Sequence, residues 1–177
     1  MISALKESLW KQFGASIDML GNAILLWPDA QWDTDRKFFY MSWHCLLFLD
    51  YYLSIPPKNF SSPLPFTIPE SGEIPEDAVD DLLPNRIYSK KELLDYLQSS
   101  RAKCRQLIES LTEEKMNQRW IDEPDQVAAQ SVMQLSVFEI LLYNMRHVQH
   151  HAGQLNVLLR QQINDAPGWV AQAGESI

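Results

Sequence analysis

Proline is segregated in this chain, and that limits the possible fold more than any other feature. Seven of its ten prolines fall between Ile55 and Tyr88. Proline lacks a backbone donor and clashes with the preceding helical turn, so the stretches it avoids are free to form long helices. Those stretches carry the matching pattern. In the first, Ile2, Leu5, Leu9, Phe13, Ile17, Leu20, Ile24 and Trp27 recur three or four residues apart. The spacing predicts a helix from about Ser3 to Trp27, ended by Pro28 and Asp29. A second helix is expected from Asp33 or Thr34 to Ser54, stopped by Pro56 and Pro57. It is rich in aromatic residues, among them Phe38, Phe39, Trp43, Phe48 and Tyr52.

Two later helices announce their own starts. Ser89 with Glu92, and Ser136 with Glu139, have the spacing of capping boxes, in which each side chain satisfies a free backbone N–H of the first turn. The helix after Ser89 shows an apolar face of Leu93, Leu97, Cys104, Leu107, Ile108 and Leu111. The helix after Ser136 is expected to run to about Ile163, where Asn164, Asp165, Pro167 and Gly168 break it. Thr112 should cap a shorter helix, and the tail should pack Trp169 and Val170 onto the rest. The expected fold is all-α: an antiparallel up-down four-helix bundle in one domain spanning 1–177. The long irregular connection 55–88 lies between its second and third helices. A structureless stretch of that length inside a domain reads as a functional lid or a flexible connector.

Charge and composition exclude some functions. The formal net charge is −8, and phosphate contacts need clustered Lys and Arg, so no nucleic-acid partner is expected. The densest basic stretch, Arg101 to Arg105, reads as a solvated helix face. The acidic stretch Glu76 to Asp81 reads as a solvated loop. Cys45 and Cys104 read as reduced core residues rather than a disulfide. Lys6, Glu7 and Lys11 interrupt any secretion signal at the N-terminus. The longest apolar runs, Ala23–Trp27 and Cys45–Leu49, are too short to cross a bilayer. A cytoplasmic protein with no membrane partner is the expectation.

The chain has four histidines, and three of them, His147, His150 and His151, crowd into Arg146–Leu155. On a helix, His147 and His151 are one turn and about 40° apart, so their rings can converge. They share a seam with Ile140, Asn144, Gln154 and Leu158. The neighbouring seam, Leu141, Met145, Val148, Ala152, Leu155 and Leu159, is apolar. If both seams face inward, the polar middle of the first is buried, which costs free energy unless it is paired. A divalent metal would pair both rings. His44 is the only other histidine, at a comparable depth in the second helix. Three protein ligands leave positions open, the pattern of a catalytic site. His150 falls about 80° off the pair and is expected at a helix–helix or subunit boundary, with Arg146 and Gln149 on the outer side. Ala152 and Gly153 are small enough to admit a facing helix.

Other residue types narrow the chemistry. Val148 stands where a zinc protease helix needs its glutamate base. The inward Glu-x-x-His pairs of di-iron bundles are missing. The candidates to line the site are Tyr40, Tyr51, Tyr143, Asn144 and Gln154, although any one of the three tyrosines taken singly reads as aromatic core packing. A tyrosine among them would hydrogen-bond a bound water or donate a proton.

The segment His147, Val148, Gln149, His150, His151, Ala152, Gly153, Gln154 resembles the DinB-like (YfiT-like) metalloenzyme superfamily. So do the placement of His44 within Ser42–Phe48 and the closing Ile163–Val170. The resemblance covers nearly the whole chain. It implies His44, His147 and His151 as metal ligands and an up-down four-helix bundle, often dimeric. Ala152 departs from the arginine that many members carry, at a position that is not a ligand. Better-understood relatives use a divalent metal to activate a low-molecular-weight thiol for transfer or isomerisation.

Three functions are therefore expected to compete. The first is a metal-dependent S-transferase acting with a small cellular thiol, the second substrate entering past the proline-rich connection. The second is a metal-dependent hydrolase working through bound hydroxide. The third is a non-catalytic, stress-related metal-binding or interaction protein. Imidazole suits zinc, nickel, iron and copper. Zinc or nickel is the first expectation, iron or manganese the next, and a homodimer is the expected assembly.

Overall fold

The computed structural model describes residues 2–70, 74–121, 132 and 134–174. Its helices are α1 (Ile2–Leu26), α2 (Arg36–Tyr52), α3 (Lys90–Glu109), α4 (Glu113–Asn117) and α5 (Val137–Ile163). The all-α expectation holds with one addition. Inside the connection, β1 (Phe66–Thr67) and β2 (Leu83–Pro84) form a short antiparallel pair, with Phe66 opposite Pro84.

The helix ends follow from their caps. Ser89 Oγ accepts the Glu92 N–H while the Glu92 carboxylate accepts the Ser89 N–H at 2.8 Å, and Ser136 and Glu139 repeat this at the head of α5. Thr112 caps α4. The second helix starts slightly later than its apolar pattern suggested, because Asp35 is the residue that caps it, accepting from the Phe38 N–H at 3.0 Å. Asn164 closes α5 at φ 55°, a left-handed conformation that asparagine tolerates.

α1 packs on α3 and α5, and α2 packs on the same two helices. Phe13, Ile17, Leu20 and Ile24 of α1 are buried, with Leu93, Leu97, Cys104 and Ile108 of α3. On α5 the apolar seam from Leu141 to Leu159 is buried apart from half-buried Met145. Each such large apolar side chain contributes about 1.5–3 kcal/mol on leaving water. Trp27 stacks on Phe38 at 3.9 Å and closes the α1–α2 corner.

Several expectations need correction. The basic stretch of α3 is only in part a solvated face: Arg105 is exposed, but the charge of Arg101 is matched inside the fold. Its guanidinium is buried and grips the Asp18 carboxylate at 2.7 and 3.2 Å. It also donates to Gly174 O, fastening the tail. Trp169 does not pack down; it is 74% exposed, whereas Val170 packs against the core. The close approach of backbones is not at Gly153, where an added Cβ would meet nothing within 4 Å. It lies on α1, where a Cβ on Gly14 would sit 2.6 Å from the Ala173 Cβ, because the tail crosses there and the Ala173 N–H donates to Lys11 O. Both cysteines are free and buried, as expected.

The connection is fastened to the helices rather than loose. Leu64 and Leu82 are buried, Phe66 packs against Trp43 of α2, and the Tyr88 hydroxyl donates to Pro65 O. The Trp32 indole N–H donates to Tyr88 O, and that of Trp120 to Ser54 O.

Candidate metal centre

His44 lies midway along α2, and His147 and His151 lie midway along α5. The packing of these helices brings all three rings together. His147 Nε2 is 3.2 Å from His44 Nε2 and 3.1 Å from His151 Nε2. One ring nitrogen of each residue falls within 4.8 Å of the other two. His44 and His151 are buried and His147 is half-buried.

The contacts among these nitrogens are more than hydrogen bonding can satisfy. A neutral imidazole nitrogen carries either one N–H or one lone pair in the ring plane. His147 Nε2 can therefore serve only one of its two neighbours. A cation accepts lone pairs from all three at once. Two nitrogens bound at about 2.0–2.1 Å to one metal stand about 2.9–3.4 Å apart, from right-angle to tetrahedral geometry. The two spacings found here fall in that range, so the residues present fit a divalent cation.

The protonation states agree. Burial is the largest influence on both α5 rings, followed by neighbouring histidines. It lowers His147 from 6.5 to about 2 and His151 to about 4. Both rings are neutral near pH 7, and their lone pairs are available. The far nitrogens, Nδ1, of His147 and His151 are buried without a hydrogen-bond partner among the described residues.

His44 differs, because Asp80 Oδ2 lies 2.9 Å from its Nδ1. The sequence reading expected a site without a carboxylate and a solvated loop at Glu76–Asp81. The first is corrected, and the second holds for Glu76, Asp77, Val79 and Asp81, which are exposed, but not for Asp80: the connection folds back over α2 and delivers Asp80 to the far side of the His44 ring. No periodicity could have found it, since Asp80 lies in an irregular segment and meets His44 only through tertiary packing.

The aromatic surround also differs from expectation by one residue. Phe48 packs on His44 at 4.8 Å and on His147 at 5.8 Å. Tyr52, rather than its neighbour, faces His147 edge-on at 6.0 Å and packs on Tyr143 at 5.3 Å. Burial, then Tyr143 and Asp80, push the Tyr52 phenol up, so it keeps its proton. Phe48 follows His44 by one helical turn, a spacing that would have signalled it; Tyr52, eight residues on, is about 80° round the helix, so its contact with His147 comes from the packing of α2 on α5. Tyr51 packs with Phe48, Tyr52, Phe60 and Trp120. Tyr40 is half-buried against Phe39.

Asn144 is fully buried and its amide donates to Leu49 O at 2.9 Å. This caps a carbonyl of the last turn of α2, where the Leu53 N–H turns to Asp50 O instead. Gln154 lies beside His151. The Asp50 carboxylate points toward α3, bonded to the Tyr96 hydroxyl and Lys103. A cavity of about 360 Å³ reaches His147 and is lined by Tyr143, Arg146, His147 and His150. His150 is exposed and packs on His151 at 5.2 Å. It stands at the mouth of this cavity, with the exposed Arg146 guanidinium over the Tyr143 ring.

Taken with the fold, the cluster defines a helical protein whose three histidines could hold a metal ion. The sequence model of the DinB superfamily matches residues 12–155, a span that includes His44, His147 and His151, and the chain belongs to that superfamily. No curated protein and no solved structure matches the chain. Among the described residues no helix is long and apolar enough to cross a membrane.

Proposed function

We propose that this chain is a divalent-metal-dependent enzyme, with His44, His147 and His151 as the ligands, and that it transfers a low-molecular-weight thiol to a small electrophile. The observation that carries the reading is the convergence of three imidazole nitrogens, with no carboxylate in the ligand cluster. A zinc or nickel ion there would lower the pKa of an incoming thiol toward neutrality, as metals do for coordinating thiols. The thiol must come from outside, because burial raises both Cys45 and Cys104 and leaves them unreactive. A thiol can lose its proton to water, so the reaction needs no protein base. Tyr143, Arg146 and His150 form the walls against which substrate would lie. Tyr52, held protonated against the His147 ring, is hydrogen-bonded to Tyr143 of that wall.

The reading includes a single domain whose four long helices form an antiparallel up-down bundle, which the pairing of α1 and α2 with α3 and α5 supports. It also includes a cytoplasmic homodimer; the exposed Trp169, which walls a groove with Gln12, Ser16 and Met145, supports the dimer.

The test is conjugation of small cellular thiols to an electrophile by metal-loaded protein. Activity that needs both metal and thiol, and is lost in His147→Ala, is the expected result. Turnover of esters or amides without thiol would replace transfer by hydrolysis. A rate untouched by His147→Ala would refute the site.

A further inference from the structure

We infer that Asp80 is a positioning residue that selects the ring form of His44, keeping its proton on Nδ1 and its lone pair on Nε2, toward His147. The consequence for metal binding rests on the proposed function; the ring form does not.

The Asp80 carboxylate is held from two sides. Its Oδ1 accepts the Leu82 backbone N–H at 3.0 Å, so it cannot swing away without releasing that amide. Its Oδ2 stands 2.9 Å from His44 Nδ1, at ion-pair distance but outside hydrogen-bond alignment. Leu82 is buried, and Leu83 and Pro84 pair with Phe66 and Thr67, which anchors the strap just after the contact. Asp80 is 26% exposed, so bulk water only partly screens it.

A carboxylate only accepts hydrogen bonds, so the nitrogen it faces must carry the proton. Neutral imidazole has one such proton, which leaves Nε2 with its lone pair free. That is the form a metal requires, and metal-bound histidines commonly show such a partner at the far nitrogen. His147 and His151 have no hydrogen-bond partner at Nδ1 among the described residues. His44 Nδ1 has no aligned hydrogen bond either, but among the described residues it has a carboxylate oxygen 2.9 Å away. The connection between α2 and α3 is thus part of the site, although none of its residues belongs to the ligand cluster.

Asp80→Asn is the discriminating variant. The amide oxygen can still accept the Leu82 N–H and preserve the turn. Its NH2 then faces His44 Nδ1 as a donor and drives the proton to Nε2, the nitrogen a metal needs. Two readouts apply. In metal-free protein, imidazole 15N shifts should show the Nδ1–H form of His44 in wild type and the Nε2–H form in Asp80→Asn. Zinc affinity, by competition with a chromophoric chelator, should fall about 10–100-fold in Asp80→Asn. Asp80→Ala, which removes the carboxylate without offering a donor, should fall between, and Asp81→Asn should match wild type in both readouts. An unchanged His44 ring form in Asp80→Asn, with zinc affinity within about threefold of wild type, overturns the inference. If wild type binds no zinc, the metal reading falls, and the 15N shifts still decide the role of Asp80.

Discussion

Acid should unfold the metal-free protein through its histidine cluster, by an amount that follows from the site. Folding lowers His147 from 6.5 to about 2 and His151 from 6.5 to about 4. Above pH 6.5 both rings are neutral in the folded and unfolded states and the pair contributes no pH dependence. As the pH falls below 6.5 the unfolded chain binds protons that the folded chain refuses, so stability drops. For His151 the drop levels off as pH falls through about 4, and for His147 it continues toward about 2. Each such group costs about 1.4 kcal/mol per pH unit in its window, or about 2 kcal/mol between pH 6.5 and 5. The two together should remove about 4 kcal/mol at pH 5, a large share of a typical folding free energy.

The assay is urea unfolding followed by circular dichroism, with chelator present, at about pH 7.5 and 5. The comparison is wild type against the double variant His147→Gln/His151→Gln, which shares every other titrating group. Wild type should lose about 4 kcal/mol more than the variant between the two pH values. Equal losses, within about 1 kcal/mol, would show that the rings protonate in place and that burial does not hold them neutral.

Four further outcomes are expected. Zinc at about one hundred times its dissociation constant should stabilise wild type by about 2.7 kcal/mol, raising Tm by about 5–11 °C, with no shift in His151→Ala. Elemental analysis should find close to one metal per chain in untagged wild type and close to none in His151→Ala. Asp18→Ala should cost about 3–5 kcal/mol in urea unfolding, because it strands the buried Arg101 guanidinium. Asn144→Ala should cost about 1–3 kcal/mol, because it uncaps Leu49 O inside the core, and the residual metal content should stay near that of wild type.

What was legible in the sequence was what local periodicity and capping encode. The three- and four-residue spacing in α1 and the serine–glutamate pairs before α3 and α5 set helix positions that the structure reproduces to within a few residues. The turn angle of a helix places His147 and His151 on one face without knowledge of what they face. Arg101, Trp169 and Gly153 depart from the local expectation, because their surroundings come from other parts of the chain. Helix rotation favoured Tyr51, about 20° from His44, over Tyr52, about 80° away, yet Tyr52 is the one that stands against His147.

Tertiary packing alone decided how the site is completed. The pairing of α2 with α5 carries His44 to hydrogen-bonding distance of His147, and the fastened connection carries Asp80 to the far nitrogen of His44. It also turned Asn144 from a site residue into a cap. A sequence states which groups share an element, because backbone geometry repeats along it. Which groups meet across elements depends on packing against the whole core, where burial also sets whether a ring stays neutral. The sequence by itself determined the helices and two of the three histidines' shared face, and the tertiary structure decided the third ring, its carboxylate and the protonation state that makes the cluster fit for a metal.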